Sequence, residues 1–244
     1  MITHLTQDGW DVIYHRAHAL LAAQIAGHWR KSDSPERLYE TIAAISHHDD
    51  LEREWEGNHI TEAGAPLDFS LQDVEDGAIE KLREQVDSAR YRGRWVTLLT
   101  SKHLTVLNQS LRGKSKDWDA FLDEQEKLQA DCLKGLGISK ADAERAYQFM
   151  HWCDRLSLIL AQQEVPEAGR ALEITSGIDG QRYDIRALED GRVTVEPWPF
   201  EDKEFTVNVE AVHLSELKFT SNEALIAALQ TAPIKVLEWT FVKQ

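Results

Sequence analysis

The sequence predicts an α+β chain, a mainly α-helical bundle over residues 1–165 followed by a small antiparallel β-rich unit over residues 166–244. Three observations carry this. From Asp11 to about Gln163, apolar residues recur at helical spacing; Val165-Pro166-Glu167-Ala168-Gly169 then interrupts the pattern; beyond it the period falls from 3.6 to 2.

The elements can be justified in order. HALLAAQIAGHW (His18 to Trp29) combines helical spacing with Ala and Leu, strong helix formers because little rotamer freedom is lost. Ser34-Pro35-Glu36 reads as an N-cap with Pro at the first helical position, opening RLYETIAAISHH. Glu56 to Leu71, with Gly57, Gly64 and Pro66, has no period and reads as a long loop. Helices then follow in DVEDGAIEKLREQVDSARY, RWVTLLTSKHLTVLNQSL and KDWDAFLDEQEKLQADCLKGLG, the last closed by a glycine C-cap. The final helix, SKADAERAYQFMHWCDRLSLILAQQ, starts at Ser139. In the tail, ALEITS, YDIRAL, RVTVEPW and EFTVNVEAVHL are strand-like, with Asp190-Gly191 a tight-hairpin signal. SNEALIAALQTA is a short helix before a last strand, KVLEWTFV. Trp198-Pro199-Phe200 reads as an apolar staple between the two parts, with a lid over a substrate as the alternative.

Composition narrows the function classes. A hydrophobic fraction of 42% and a charged fraction of 28% are those of a globular protein that buries a core. No run approaches the ~18 apolar residues of a membrane span. MITHLTQDGWDV lacks the basic and apolar blocks of a signal peptide. Cys132 and Cys153 form no CxxC, so neither a disulfide framework nor a zinc ribbon is indicated, and a cytoplasmic protein with reduced thiols is expected. A formal charge of −15 argues against non-specific nucleic-acid binding, which needs a basic face to release counterions. It leaves room for a small phosphorylated ligand, because a cation can reverse the potential inside one cleft.

The ligand-type residues fall on separate helices: His18 on the first long one, His48-Asp49 ending the second, His103 amid the fourth and Asp154 amid the last. Each is flanked by apolar residues, so a bundle core would carry these polar groups inward, where an unpaired charge is costly. Helical proteins build metal centres in this way, each wall supplying one or two ligands. His with Asp suits one divalent ion among Mn, Fe, Co, Ni, Zn and Mg. Taken singly, each has a plainer reading: His18 bonded to a carbonyl, His48-Asp49 as a helix end favoured by the dipole, Asp154 paired with a cation such as Arg16. Asp50 is expected to face solvent, and His15, His28, His47, His151 and His213 to be surface or supporting residues.

An early His, an adjacent His-Asp pair and a late Asp in a helical frame resemble the HD superfamily of metal-dependent phosphohydrolases. HALLAAQIAGHW, HHDD, LLTSKHL, CDRLSL and VTVEPWPF also resemble an uncharacterised bacterial family of unknown function that carries an HD-like core. The resemblance implies an HD-like metal-binding domain with His18 as the first His, His48 and Asp49 as the pair and Asp154 as the closing Asp. It implies hydrolysis of a phosphoester such as a nucleotide or small phosphorylated metabolite. Two-metal members place two further histidines between the pair and the closing Asp; here only His59 and His103 fall there, and His59 lies in the loop. One metal is therefore expected, with His103 as a fifth ligand, a proton donor or a phosphate contact. The di-iron oxygenases of the superfamily need the fuller set. Asp49 is expected to orient the attacking water, and His103 or Lys102, with Arg92 and Arg94 nearby, to stabilise phosphoryl charge. The alternative is a non-catalytic module that binds a metal or nucleotide and docks a partner through the β-rich part.

Overall fold

The computed structural model describes residues 1–50, 53–72 and 77–244. Seven strands among them form one mixed sheet, in the order β1-β2-β6-β7-β5-β4-β3. The strands are β1 (Ile2–Leu5), β2 (Trp10–Ile13), β3 (Ala171–Ser176), β4 (Arg182–Ala187), β5 (Val193–Glu196), β6 (Glu204–Leu214) and β7 (Ile234–Val242). Neighbours are antiparallel except β5 and β7, which run parallel at Val193↔Phe241.

This corrects the predicted α+β arrangement of a bundle followed by an antiparallel C-terminal unit. The chain begins in the sheet, with β2 paired to β6 (Trp10↔Leu214), and the sheet is mixed. The physical reason is length and topology. Strands of four residues carry barely two alternations, and Val12 and Ile13 are both buried. The parallel pair arises because β7, last in the chain, fills the slot between β5 and β6, a non-local pairing that periodicity cannot register.

Six helices precede β3: α1 (His15–Gly27), α2 (Leu38–His47), α3 (Ala78–Arg90), α4 (Arg94–Asn108), α5 (Lys116–Leu136) and α6 (Lys140–Ala161). A seventh, α7 (Asn222–Thr231), joins β6 to β7. Helix α6 opens on a capping box, Ser139 with Asp142, and α5 closes on Gly137 at φ 66°, where glycine is free of Cβ strain. The expected Ser34 cap is not formed. Its hydroxyl donates back to the Arg30 carbonyl at 3.0 Å, a 3-10 turn covers Lys31–Asp33, and α2 starts at Leu38. The predicted start of the third helix, at 73–76, lies outside the described residues.

One cluster of buried side chains runs from α1 and α6 (Leu21, Ile25, Trp152, Ile159) into the sheet (Ile185, Val207, Phe241). The sheet's inner face therefore packs on α1 and α6, while Thr206, Asn208 and Glu210 of β6 face outward, exposed. Phe200 fastens the two layers: it bridges Trp29 in the backbone, and its ring lies edge-on to Trp29 and Trp152. No helix among the described residues is long and apolar enough to cross a membrane.

Candidate metal centre

Four helices, α1, α2, α4 and α6, pack against one another and bring together His18, His48, Asp49, His103 and Asp154. His18 is carried in the first turn of α1, His48 and Asp49 just past the C-terminal end of α2, and His103 and Asp154 on the inward faces of α4 and α6. His18 Nε2 lies 2.7 Å from Asp49 Oδ2 and 4.0 Å from Asp154 Oδ1; His48 Nε2 lies 3.1 Å from Asp154 Oδ1 and 3.4 Å from Asp49 Oδ2. Ligands about 2.1 Å from one ion stand roughly 3–4 Å apart, so these separations are ones a shared ion could span, and the donor atoms of His18, His48 and Asp49 all lie within 4.8 Å of one another. His103 joins His48 and Asp154 in a second group of donor atoms within 4.8 Å of one another, and its ring centroid is 5.1 Å from that of His48.

The tautomers are set from outside. His48 Nδ1 donates to the Ile45 carbonyl at 2.6 Å, in the last turn of α2, where that carbonyl also accepts the His48 backbone N–H at 3.5 Å. The Ser157 hydroxyl gives its hydrogen to the Asp154 carbonyl at 2.8 Å and so accepts from His18 Nδ1 at 2.9 Å. In both rings Nε2 is thereby the nitrogen turned toward the carboxylates, the orientation a metal-ligating histidine needs. Gln85 of α3 donates to the His48 carbonyl and holds the end of α2 in place. Replacing Ser157 with Ala is expected to weaken metal affinity about 10–100-fold without displacing any ligand, measured by competition with a metal chelator; unchanged affinity would show that Ser157 does not set the His18 tautomer.

The charges are mutually stabilised. Burial works against a charged His48, but the Asp49 and Asp154 carboxylates beside it raise its pKa to about 10. Burial would raise the Asp154 carboxyl, yet His48 above all holds it down at about 2; Asp49 lies well below the usual carboxylate range through His48 and His18. His103 is depressed to about 4 by burial and by the charge on His48, so it is a neutral imidazole. Among the described residues its buried Nδ1 has no hydrogen-bond partner, and neither has the buried Tyr147 hydroxyl, whose ring is 6.1 Å away. Two orphaned polar atoms beside a ligand cluster fit a site that takes something polar from outside. The metal and the donor set therefore fit one another: hard oxygen and borderline nitrogen donors, no thiolate, and Asp49 the more open carboxylate at 24% side-chain exposure.

Other expected residues go elsewhere. The Lys102 ammonium pairs with Glu144 at 2.9 Å and lies over the Tyr147 ring rather than joining the cluster. Arg16 donates to the Asp50 carbonyl, so it is not the partner of Asp154; Asp50 itself pairs with His47 and, at 3.1 Å, with Arg92. Arg94 caps the end of α5 at the Gly135 carbonyl. His59 Nε2 donates to the Glu56 carbonyl at 2.6 Å in its loop, outside the cluster. His47, expected at the surface or in a supporting position, is buried, and its ring pairs with Asp50. His28 and His213 pair with Asp202 and Asp11. His15 is buried against Glu54, edge-on to His18, and His151 stacks on Tyr147. Sequence reasoning missed Ser157, Tyr147 and Glu54; only Ser157, one helical turn after Asp154, carried a spacing signal.

Residues 1–216 match the profile of a family described as "Protein of unknown function (DUF3891)". The chain belongs to this family. All five candidate ligands of this DUF3891 member lie inside the matched stretch, whereas α7 and the central strand β7 lie beyond it. No curated protein matches the chain, and no solved structure does.

Proposed function

We propose that this chain is a metal-dependent hydrolase of a small phosphoester, with His18, His48, Asp49 and Asp154 holding one divalent ion and His103 beside it. The observation that supports it is the convergence of four side chains from three helices at 2.7–4.0 Å, with both imidazoles turned by their Nδ1 bonds. When bound, a divalent ion supplies Lewis-acid polarisation of a phosphoryl oxygen and lowers the pKa of a water.

The chain's own residues supply the rest. Asp49, the more exposed carboxylate, orients the attacking water and takes its proton. Water oxygen bonds to phosphorus, the P–O ester bond breaks, and the proton Asp49 took from the water passes through solvent to the leaving alkoxide, so that alcohol and phosphate are the products. The His103 imidazole and the Tyr147 hydroxyl, buried and unpartnered, donate to the phosphoryl oxygens, the role sequence reasoning had divided between His103 and Lys102. Lys102, held on Glu144 and over the Tyr147 ring, keeps that ring in place. Arg92, half-exposed beside Asp50, lies at the rim as a positive group for an incoming anion.

A phosphate-release screen with Mn, Co, Ni, Zn, Fe and Mg tests this across nucleotides, sugar phosphates and aryl phosphates. Turnover that requires one of these metals is the expected result. No release from any ester by protein with the metal demonstrably bound would overturn the hydrolase reading.

A further inference from the structure

A cleft of about 580 Å³ opens between the start of α1 and the segment 53–56, a volume in the roughly 300–1,000 Å³ range of small-molecule sites. Its wall is aromatic. Trp55 is 53% exposed, yet its orientation is fixed: the indole N–H donates to the Tyr14 hydroxyl at 3.1 Å, and the two rings meet edge-to-face. With its one polar atom committed, the indole offers only an apolar face. The charges around it are also committed. Glu54 accepts from the His15 backbone at 2.6 Å and meets its ring, Arg53 pairs with Glu56, and Arg16 holds the Asp50 carbonyl. A fixed indole whose charged neighbours are held by partners of their own suits a flat, uncharged ring.

The position of the cleft gives this ring a role. Tyr14, the N-cap of α1, stands four residues before His18, about 6 Å along the helix axis. Arg16, also in the wall, grips the Asp50 carbonyl next to Asp49, and the wall's Glu54 meets the His15 ring, which lies edge-on to that of His18. A phosphate at the His18–Asp49 side of the cluster would thus lie a short linker away from the indole. Resting on the phosphoester reading above, we infer that the cleft is the subsite for the substrate's non-phosphate part, and that this part is a planar aromatic ring lying on Trp55. A nucleobase and an aryl group share that chemistry, and the two arms of the test separate them.

The metal-loaded full chain is compared with its Trp55→Ala and Trp55→Phe variants on a nucleoside monophosphate and on p-nitrophenyl phosphate, with glycerol phosphate as the ringless reference. Ring binding alone is followed by saturation-transfer NMR with adenosine and with p-nitrophenol, which need no turnover. Trp55→Ala is expected to raise KM for the preferred ring ester about tenfold relative to glycerol phosphate, with kcat little changed, and to abolish transfer to its ring protons. Trp55→Phe, which keeps a flat face, is expected to retain most of both. If no ester is hydrolysed but ring transfer depends on Trp55, the subsite stands and only the hydrolase reading fails. Absence of transfer in the unaltered protein, or equal KM ratios and equal transfer in Trp55→Ala, would overturn the inference.

Discussion

Protein carrying Asp154→Asn is expected to be purified without its metal and to unfold on the order of 10 °C lower in the metal-free state. Both effects have one cause. Asn keeps the shape of the side chain but removes the negative charge that faces His48 Nε2 at 3.1 Å. Breaking a buried charged pair from one side leaves the other group uncompensated, at a cost of about 3–5 kcal/mol, and for a chain of this size each kcal/mol moves the melting temperature by roughly 2–4 °C. Asp49→Asn gives the contrasting case. Its carboxylate is more open, so water can take over part of the lost partnership, and the expected destabilisation is smaller while the metal is lost just the same. Elemental analysis of untagged protein together with thermal unfolding reads both quantities. Stoichiometric metal in the Asp154 variant would remove Asp154 from the ligand set and the proposed reaction with it.

The helices were legible because each repeats its signal many times. Over 22 residues, α6 shows both its apolar stripe and its capping box, and α5 ends where glycine allows a left-handed residue. The long β6, with eleven residues, alternates cleanly between buried and exposed from Glu204 to Ala211. The N-terminal strands failed on the same criterion: four residues of WDVI, three of them buried, look as much like a helix start as a strand. Sheet order failed for a different reason. Pairing β2 with β6 or placing β7 beside β5 depends on contacts some 200 and 50 residues apart in sequence, and no local pattern encodes them.

The ligand cluster was legible through incongruity, because Asp154 sits in FMHWCDRLSLIL where a charge needs a reason to be buried. The supporting residues were less so. Ser157 acts by handing its hydrogen to a carbonyl while accepting from His18, a role that exists only once two helices face each other. Lys102 misled because adjacency to His103 in sequence is not adjacency in a helix: the next residue points about 100° away, here toward Glu144. Trp55 and Tyr14 were unreadable as a pair, being 41 residues apart.

Opposite responses to pH are expected of the metal-free and the metal-loaded protein, and His48 is the reason. Its pKa, about 10 in the fold against an ordinary 6.5, means that the folded state holds a proton the unfolded chain gives up. The stability this supplies is complete below about pH 6.5 and is lost as pH rises toward 10. Asp154 works the other way: held at about 2 against 3.8, it contributes stability above pH 3.8 that disappears as pH falls toward 2. The metal-free protein therefore keeps the contributions of both members of the pair between roughly pH 4 and 6.5. A divalent ion must take the place of the proton between His48 Nε2 and Asp154, so its affinity is expected to rise about tenfold per pH unit across the range in which His48 is still protonated. Raising the pH thus weakens the metal-free fold while strengthening what the metal adds. Thermal unfolding with and without saturating Mn at pH 6 and pH 9 measures this directly, the shift on adding Mn being several degrees larger at pH 9. An identical shift at the two pH values would mean that no proton leaves His48 when the metal enters, and that the proton and the ion do not compete for the same place.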